Sequence, residues 1–250
     1  MGVSAPVAAK ANGLATVLDT IVAPSEAFER QRTAPTWGWA LIVSIVLLLA
    51  GAYLQAPAAR HIGTVQVQRM IQTSTLFSNA TEEQKQRAIE NAGKSSPFSY
   101  ILPVVVVFIA VFFNALILLV GNAVGRGQAD FKRLWCGSMN IAVPTVGLGA
   151  VVLGVITMIR GANAFDSGMS LAQAVPSLGM LVPNASVGVA AFLSAISIFT
   201  IWGFFLNATM LRVTAKTGAG VAYTFAGIVL LIGALFAASG ASFGHKFGLF

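Results

Sequence analysis

Charge is what this sequence has least of. Asp, Glu, Lys and Arg make up 9% of its 250 residues, where an ordinary soluble domain carries about a quarter. A water-soluble helical protein needs long helices with polar faces, and too few polar residues are present to build them. The single cysteine, Cys136, excludes an internal disulfide and a thiolate metal cage. Two histidines, His61 and His245, with no carboxylate inside any apolar stretch, are too few ligands for a zinc site or an intramembrane proton relay. No cofactor is expected. Residues 1–36 lack an apolar stretch of the length a secretory signal needs. The opening MGVSAP puts Pro6 where a myristoylation signal requires Ser or Thr.

What is present is oil, in long runs. Hydrophobic residues are 56% of the chain, and mean hydropathy is +0.81. Five apolar runs, 37–54, 100–124, 134–159, 187–206 and 221–238, contain no Asp, Glu, Lys, Arg or His. All eight carboxylates and all fifteen Lys and Arg lie between the runs or beyond their ends. A hydrocarbon solvent imposes that partition, because an unpaired charge at the bilayer centre costs several kcal/mol. Uncharged runs of about 18 residues or more read as transmembrane helices. The expected fold is therefore all-α: a polytopic membrane protein, a bundle of five transmembrane helices with a short helical extramembrane loop between the first two. The chain divides into a cytosolic or interfacial amphipathic lead-in (1–36), a five-span membrane domain (37–240) and a short tail (241–250).

In the lead-in, Leu14, Val17, Leu18, Ile21 and Val22 follow helical spacing. Pro24 is placed to start a second helix, with Glu26 and Glu29 near its positive end. This segment reads as a helix lying in the membrane interface, with Phe28 turned toward lipid. The polar loop 55–98 contains TEEQKQRAIENAG, where Thr81 as N-cap, Gln84 three residues on and Gly93 as a stop predict a helix over about 82–91. Val67, Met70 and Ile71 suggest another short helix before it. Orientation follows the Lys and Arg of short loops. Lys10, Arg30 and Arg32, then Arg126, Lys132 and Arg133, then Arg212 and Lys216 fall on one side, against Arg160 and Lys246 on the other. The N-terminus is expected in the cytosol and the C-terminus outside, in a bacterial inner (cytoplasmic) membrane.

The stretch VGRGQADFKRLW (124–135) has glycines spaced for a phosphate cradle, but neither the preceding strand nor the Gly-Lys-Ser/Thr ending. It reads as a tight turn at the membrane face. Gly125 and Gly127 allow the bend; Phe131, Lys132 and Arg133 hold it at the headgroups. GASFGH (240–245) matches a nucleophile elbow, yet Ser242 follows a membrane helix and no acid stands near His245, so hydrolysis is not expected. Small residues recur four apart, at Gly121 and Gly125, Ala150 and Gly154, and Gly233 and Ala237, a spacing that lets helix backbones approach. Asn114, Asn140 and Asn207 carry amides able to bond across helices, and Pro103 and Pro144 permit kinks.

Three blocks resemble the Yip (Ypt-interacting protein) family of multispan membrane proteins, in its bacterial branch. IVAPSEAFERQRTAPTW resembles the family's lead-in. NALILLVGNAVGRGQADFKRLWCGSMNIAVPTV is similar to its central signature, a glycine-rich turn and Phe-Lys pair before a proline-interrupted span. SIFTIWGFFLNATMLRVTAKTGAG resembles its last block, with Phe199 and Trp202 in the Phe-x-x-Trp places. Ser197 and Ile198 stand where many bacterial relatives carry an aspartate, and the Asp-Leu-Tyr-Gly-Pro-type motif of eukaryotic members is absent. The resemblance implies a five-helix bundle with a cytosolic N-terminus. Eukaryotic relatives bind Rab GTPases and act in vesicle trafficking and membrane shaping.

Two function classes follow, neither enzymatic. One is a membrane organiser or adaptor linked to trafficking or protein interaction, with the bilayer, other membrane proteins or a second copy of the chain as partners, and not nucleic acid. The other is a small neutral-solute transporter or channel subunit. A water-accessible cavity reaching Asn114, Asn140 and Asn207 favours transport; a tight, dry bundle favours the organiser. Candidate packing or interaction residues are Asn114, Gly121, Gly125, Asn140, Pro144, Trp202 and Asn207. The candidate membrane-face turn comprises Gly127, Phe131, Lys132 and Arg133.

Overall fold

The computed structural model describes residues 12–74, 77–94, 98–182 and 184–246. The MGVSAP opening, Lys10 and the side chains of His245 and Lys246 lie outside the described residues. The helices are α1 (Gly13–Val22), α2 (Pro24–Thr33), α3 (Gly38–Thr73), α4 (Glu82–Ala92), α5 (Phe98–Val124), α6 (Phe131–Ala142), α7 (Leu148–Arg160), α8 (Gly168–Ala172), α9 (Val187–Ala195), α10 (Ile198–Val213) and α11 (Ala219–Lys246). Among the described residues there is no strand, only an isolated bridge between Ser177 and Ser197. Among the described residues, four helical segments are long and apolar enough to cross a membrane: Gly38–Thr73, Tyr100–Val124, Phe131–Arg160 and Ala219–Gly244. The protein is an all-α polytopic membrane protein.

α3 corrects the expected loop boundary. Its 36 residues rise about 54 Å at 1.5 Å each, well beyond a hydrocarbon core of about 30 Å. The second half, bearing Arg60, His61 and Arg69, therefore stands clear of the oil, and the separate helix expected around Val67–Ile71 is a continuation of it. Pro57 leaves the rod unbroken. α4 folds back along this overhang, close enough that a Cβ on Gly63 would lie 2.9 Å from the Ala92 carbonyl. It begins with the capping box read from the sequence, Thr81 and Gln84 exchanging backbone and side-chain bonds, and stops at Gly93.

Two further apolar runs are irregular. α6 and α7 form one rod joined by a π-helical turn, Val143–Gly147. Pro144 has no N–H and its ring crowds the carbonyl one turn back, so the helix widens there. Side chains take up carbonyls nearby: the Thr145 hydroxyl donates to Ile141 O at 2.7 Å and the Asn140 amide to Cys136 O at 2.8 Å.

The fourth apolar run is not the single helix expected over 187–206. α9 ends at Ala195 and α10 starts after Ser197, whose hydroxyl accepts from the Thr200 N–H in a second capping box. The freed backbone groups pair with the connection between α7 and α9: Leu178 N–H donates to Ile196 O (3.1 Å) and Ile198 N–H to Pro176 O (3.2 Å). Lipid tolerates a helix break only where protein supplies such partners.

The lead-in corrects another expectation. α1 keeps Leu14, Leu18 and Val22 exposed, as a lipid-facing stripe would be, and buries Val17. Phe28 on α2, expected to face lipid, is instead fully buried, packed with Leu118, Leu134, Leu206, Met210 and Leu211. α2 lies across the ends of α6 and α10 and belongs to the bundle.

Candidate functional site

The glycine-rich turn and α2 together close one end of the bundle, the lead-in end. Asn122, in the last turn of α5, reaches across the glycine-rich turn: its Nδ2 donates to Ala129 O at 2.9 Å, and Ala129 N–H donates to its Oδ1 at 3.1 Å. Both faces of a buried amide are thereby satisfied. Gln128 N–H donates to Ala215 O at 2.7 Å, which ties this turn to the α10–α11 turn. A Cβ on Gly127 would run into the Asn122 side chain and lie 2.8 Å from Ala215 O, so only glycine fits between the two. The neighbouring turn residues Arg126 and Lys216 have φ of 50° and 57°. Asp130 caps α6, its carboxylate accepting from Arg133 N–H at 2.9 Å. A helix, not a strand, precedes the turn, which removes the phosphate-cradle reading.

α2 is seated on this end by specific bonds. Thr214 Oγ1 donates to Phe28 O at 2.9 Å, and Arg133 Nε donates to Arg32 O at 2.8 Å. The buried Gln31 amide donates to Thr36 O (2.9 Å) and accepts from Thr36 N–H (3.0 Å). Arg30 pairs with Asp19, and Lys216 with Glu29 at 3.5 Å. The Arg32 hydrogen bond, aided by Lys216, holds the Glu29 carboxyl below the usual carboxylate range. Phe131 stacks on Trp135, centroids 6.3 Å apart, and Trp135 meets Phe108 at 5.1 Å and Trp37 at 6.5 Å, an aromatic band across three helices. Lys132, Arg126 and Arg212 point outward, exposed.

Toward mid-bundle, two of the three candidate amides come together. Asn114 Nδ2 donates to Ser138 Oγ at 2.9 Å and to Asn207 Oδ1 at 3.1 Å, linking α5, α6 and α10. Asn140 is elsewhere; besides Cys136 it bonds Thr36 O at 3.0 Å, at the start of the first crossing. Pro144 forms the π turn, and Trp202 packs half-buried against the Phe28 core.

Gly121 lets α11 approach, a Cβ there falling 2.6 Å from the Phe225 ring, and Gly125 abuts Thr217 and Val221. Gly154 is close-packed against Leu54 in α3. Gly233 is not a packing residue: nothing lies within 4 Å of a Cβ placed on it. Ser242 sits inside α11, without the strand-to-helix turn an elbow needs.

Two cavities flank the broken fourth run. One, of about 430 Å³, is lined by Asn114, Ser138, Asn207, Ser194 and Ser197 among apolar residues. The other, of about 620 Å³, shares Thr145, Ser194, Ser197 and Thr200 with it and extends to Gln55, Arg60 and Lys94. The sequence reading missed Asn122, Gln31 and the Ser197 break. An Asn three residues before a Gly-x-Gly turn, and Ser197 three residues before Thr200, were the available signals.

The bundle, the proline-widened third rod and the sealed glycine turn define a class, that of multispan helical membrane proteins with a docked N-terminal segment. The Yip1 domain family model matches residues 18–240, and the chain belongs to that family. A relative, membrane protein YknW of Bacillus subtilis (strain 168), is 29% identical over 215 residues, covering 84% of this chain and 83% of its own. No solved structure matches.

Proposed function

We propose that this Yip1-domain protein is a non-enzymatic membrane organiser that receives another membrane protein, or a second copy of itself, at its lead-in end. The observation that carries this reading is the seating of α2 around the buried Phe28, which makes that end a rigid face instead of a free tail. Arg126, Lys132 and Arg212 project from it, and Lys or Arg beside anionic headgroups is worth about 1 kcal/mol each. In this reading the lead-in end is cytosolic, the membrane is the bacterial inner membrane, α9 and α10 together make one broken crossing, and the C-terminus lies outside.

The test replaces Arg126, Lys132 and Arg212 by Glu together. A protein that co-purifies with the wild type from native membranes is expected to be lost, with the melting temperature in detergent unchanged. Retention of that protein, or a wild type that is monomeric and alone in native membranes, contradicts the reading. Sidedness is checked with Lys132→Cys, which is expected to react with an impermeant maleimide only in inverted vesicles.

Transport of a neutral solute draws on a specific observation, the cavity at Asn114 and Asn207. It does not reach Asn140. One turn beyond the amides, Leu118, Met210 and Leu211 are fully buried with Phe28, so passage would require that core to open. The cavity therefore supports reception of a molecule better than its conduction.

A further inference from the structure

The end of the bundle away from the lead-in carries two cations that the fold does not use. On α4, Lys85 pairs with Glu82 at 2.7 Å and Arg87 pairs with Glu83. On α3, His61 meets Asp166 at 3.5 Å. Arg60 and Lys94 have no carboxylate partner among the described residues. Arg60 Nε donates to Ala56 O at 3.3 Å, and Lys94 Nζ to Asn91 Oδ1 at 3.2 Å. Both side chains are exposed, and both line the 620 Å³ cavity.

Their depth is informative. Arg60 comes about 33 Å after Gly38 along α3, against a hydrocarbon core of about 30 Å, which places it at the headgroup level. Lys94 stands at the same end. Cβ atoms on Gly63 and Gly93 would lie 2.9 Å from the Ala92 carbonyl and 3.4 Å from the Thr64 side chain. The end of α4 is thereby set against the turn of α3 just past Arg60. From Arg60 the lining descends one face of α3 through Ala56 and Ala52 to Leu48, a stretch of about 18 Å. Val146, Leu153 and Phe199 face it from the other helices.

The cavity is therefore cationic at the headgroup level and apolar below, and no Asp or Glu lines it. A neutral lipid would leave both cations unused, and a zwitterionic head would bring a third cation beside them. A small soluble anion would leave the apolar walls uncovered. A lipid with an anionic phosphate head matches both parts, because Arg takes phosphate oxygens in pairs and Lys adds a point charge.

We propose that this cavity is a binding site for an anionic phospholipid, its phosphate held by Arg60 and Lys94 and one acyl chain laid along the Leu48–Ala56 face of α3. The site uses no residue of the lead-in face, so it stands or falls apart from the organiser reading.

The experiment uses the full chain in detergent micelles doped with equal amounts of phosphatidylglycerol and phosphatidylcholine bearing the same acyl chains. Bound lipids are counted by native mass spectrometry, and the melting temperature is read with and without lipid. One phosphatidylglycerol per chain is expected to be retained in preference to phosphatidylcholine. Arg60→Gln with Lys94→Gln is expected to weaken that one site about thirtyfold, as two lost cation–headgroup contacts would. Its lipid-free melting temperature is expected to be unchanged, since neither cation holds a carboxylate. Arg69→Gln with Arg87→Gln removes the same charge outside the cavity and is expected to leave the site intact. So is the Arg126, Lys132 and Arg212 to Glu variant, which separates this site from the lead-in face. Equal retention of the two lipids overturns the proposal, as does equal loss in the two glutamine pairs or no loss in the first. Displacement of phosphatidylglycerol by soluble glycerol 3-phosphate overturns it in favour of a free-anion site.

Discussion

Two asparagines on one helix show how differently the two halves of this bundle are built. Asn122 uses its oxygen and its nitrogen on a single residue, Ala129, and with them closes the turn at the lead-in end. Asn114, two turns earlier, reaches two neighbouring helices with its nitrogen and leaves its oxygen unpaired beside a cavity. The same side chain thus serves closure in one place and leaves an opening in the other. Around Asn122 the backbone turns are satisfied, Phe28 plugs the centre and only glycine fits at 127. Around Asn114 the fourth run is broken, the third is widened, and space remains. Membrane helices associate without a hydrophobic drive between them, so close fit and polar pairing must supply the stability. At the lead-in end both are supplied together.

The comparison can be broken at several strengths. Phe28→Ala removes the largest buried side chain of the sealed end and is expected to cost about 3–5 kcal/mol. Phe199→Ala, beside the larger cavity, is expected to cost clearly less; equal losses in a detergent melt would erase the contrast. Next come the glycines. A Cβ on Gly51 falls 2.6 Å from the Ala150 backbone, which cannot step aside as a flexible side chain can. Gly51→Leu and Gly121→Leu are expected to destabilise by about 1–3 kcal/mol, while Gly233→Leu, in open space, stays within about 0.5 kcal/mol.

The amides make a finer test. Asn122→Ala strands buried backbone groups and is expected to cost about 1–3 kcal/mol. Asn114→Leu gives up interhelical bonds worth about 0.6 kcal/mol each and removes an unpaired oxygen, so its net effect is expected to be small. Reversal of that order in urea or thermal unfolding would count against the assignment of the two roles. The smallest expected effect is acid loosening of α2. Because the folded Glu29 carboxyl lies below its ordinary value, its contribution is present above the unfolded carboxylate pKa and is lost as pH falls through the folded one. The pair is exposed and screened, so the shift is modest. Comparing melts at about pH 7 and about pH 3, wild type is expected to lose slightly more than Glu29→Gln.

How much of this was legible beforehand follows from which forces act locally. The partition of charge marked the apolar helices because hydrocarbon acts on every residue independently. The α4 capping box was legible because its partners are three residues apart. The glycine turn was legible as a turn, but its lock was not: Asn122 bonds across seven residues, and Gln128 bonds Ala215 in a turn far along the chain. The run 187–206 read as one helix because every residue in it is compatible with lipid. What pairs with it at the break is the Pro176–Leu178 segment, and periodicity within the run carries no trace of that. Phe28 was misplaced for the same reason. An aromatic before the first crossing fits an interface and a core equally well, and the pocket that receives it is assembled from four other helices. Asn114 and Asn207 were picked out as amides in oil, but their meeting, and the separation of Asn140 from them, are tertiary facts.

The account rests on the lead-in being part of the membrane bundle. The direct test places cysteines at Glu29 and Lys216, whose charged atoms lie 3.5 Å apart, in a Cys136→Ala background and treats native membranes with a short bis-maleimide. The account predicts a cross-linked peptide joining positions 29 and 216 within one chain. Two separately capped cysteines, with no such peptide, would contradict it.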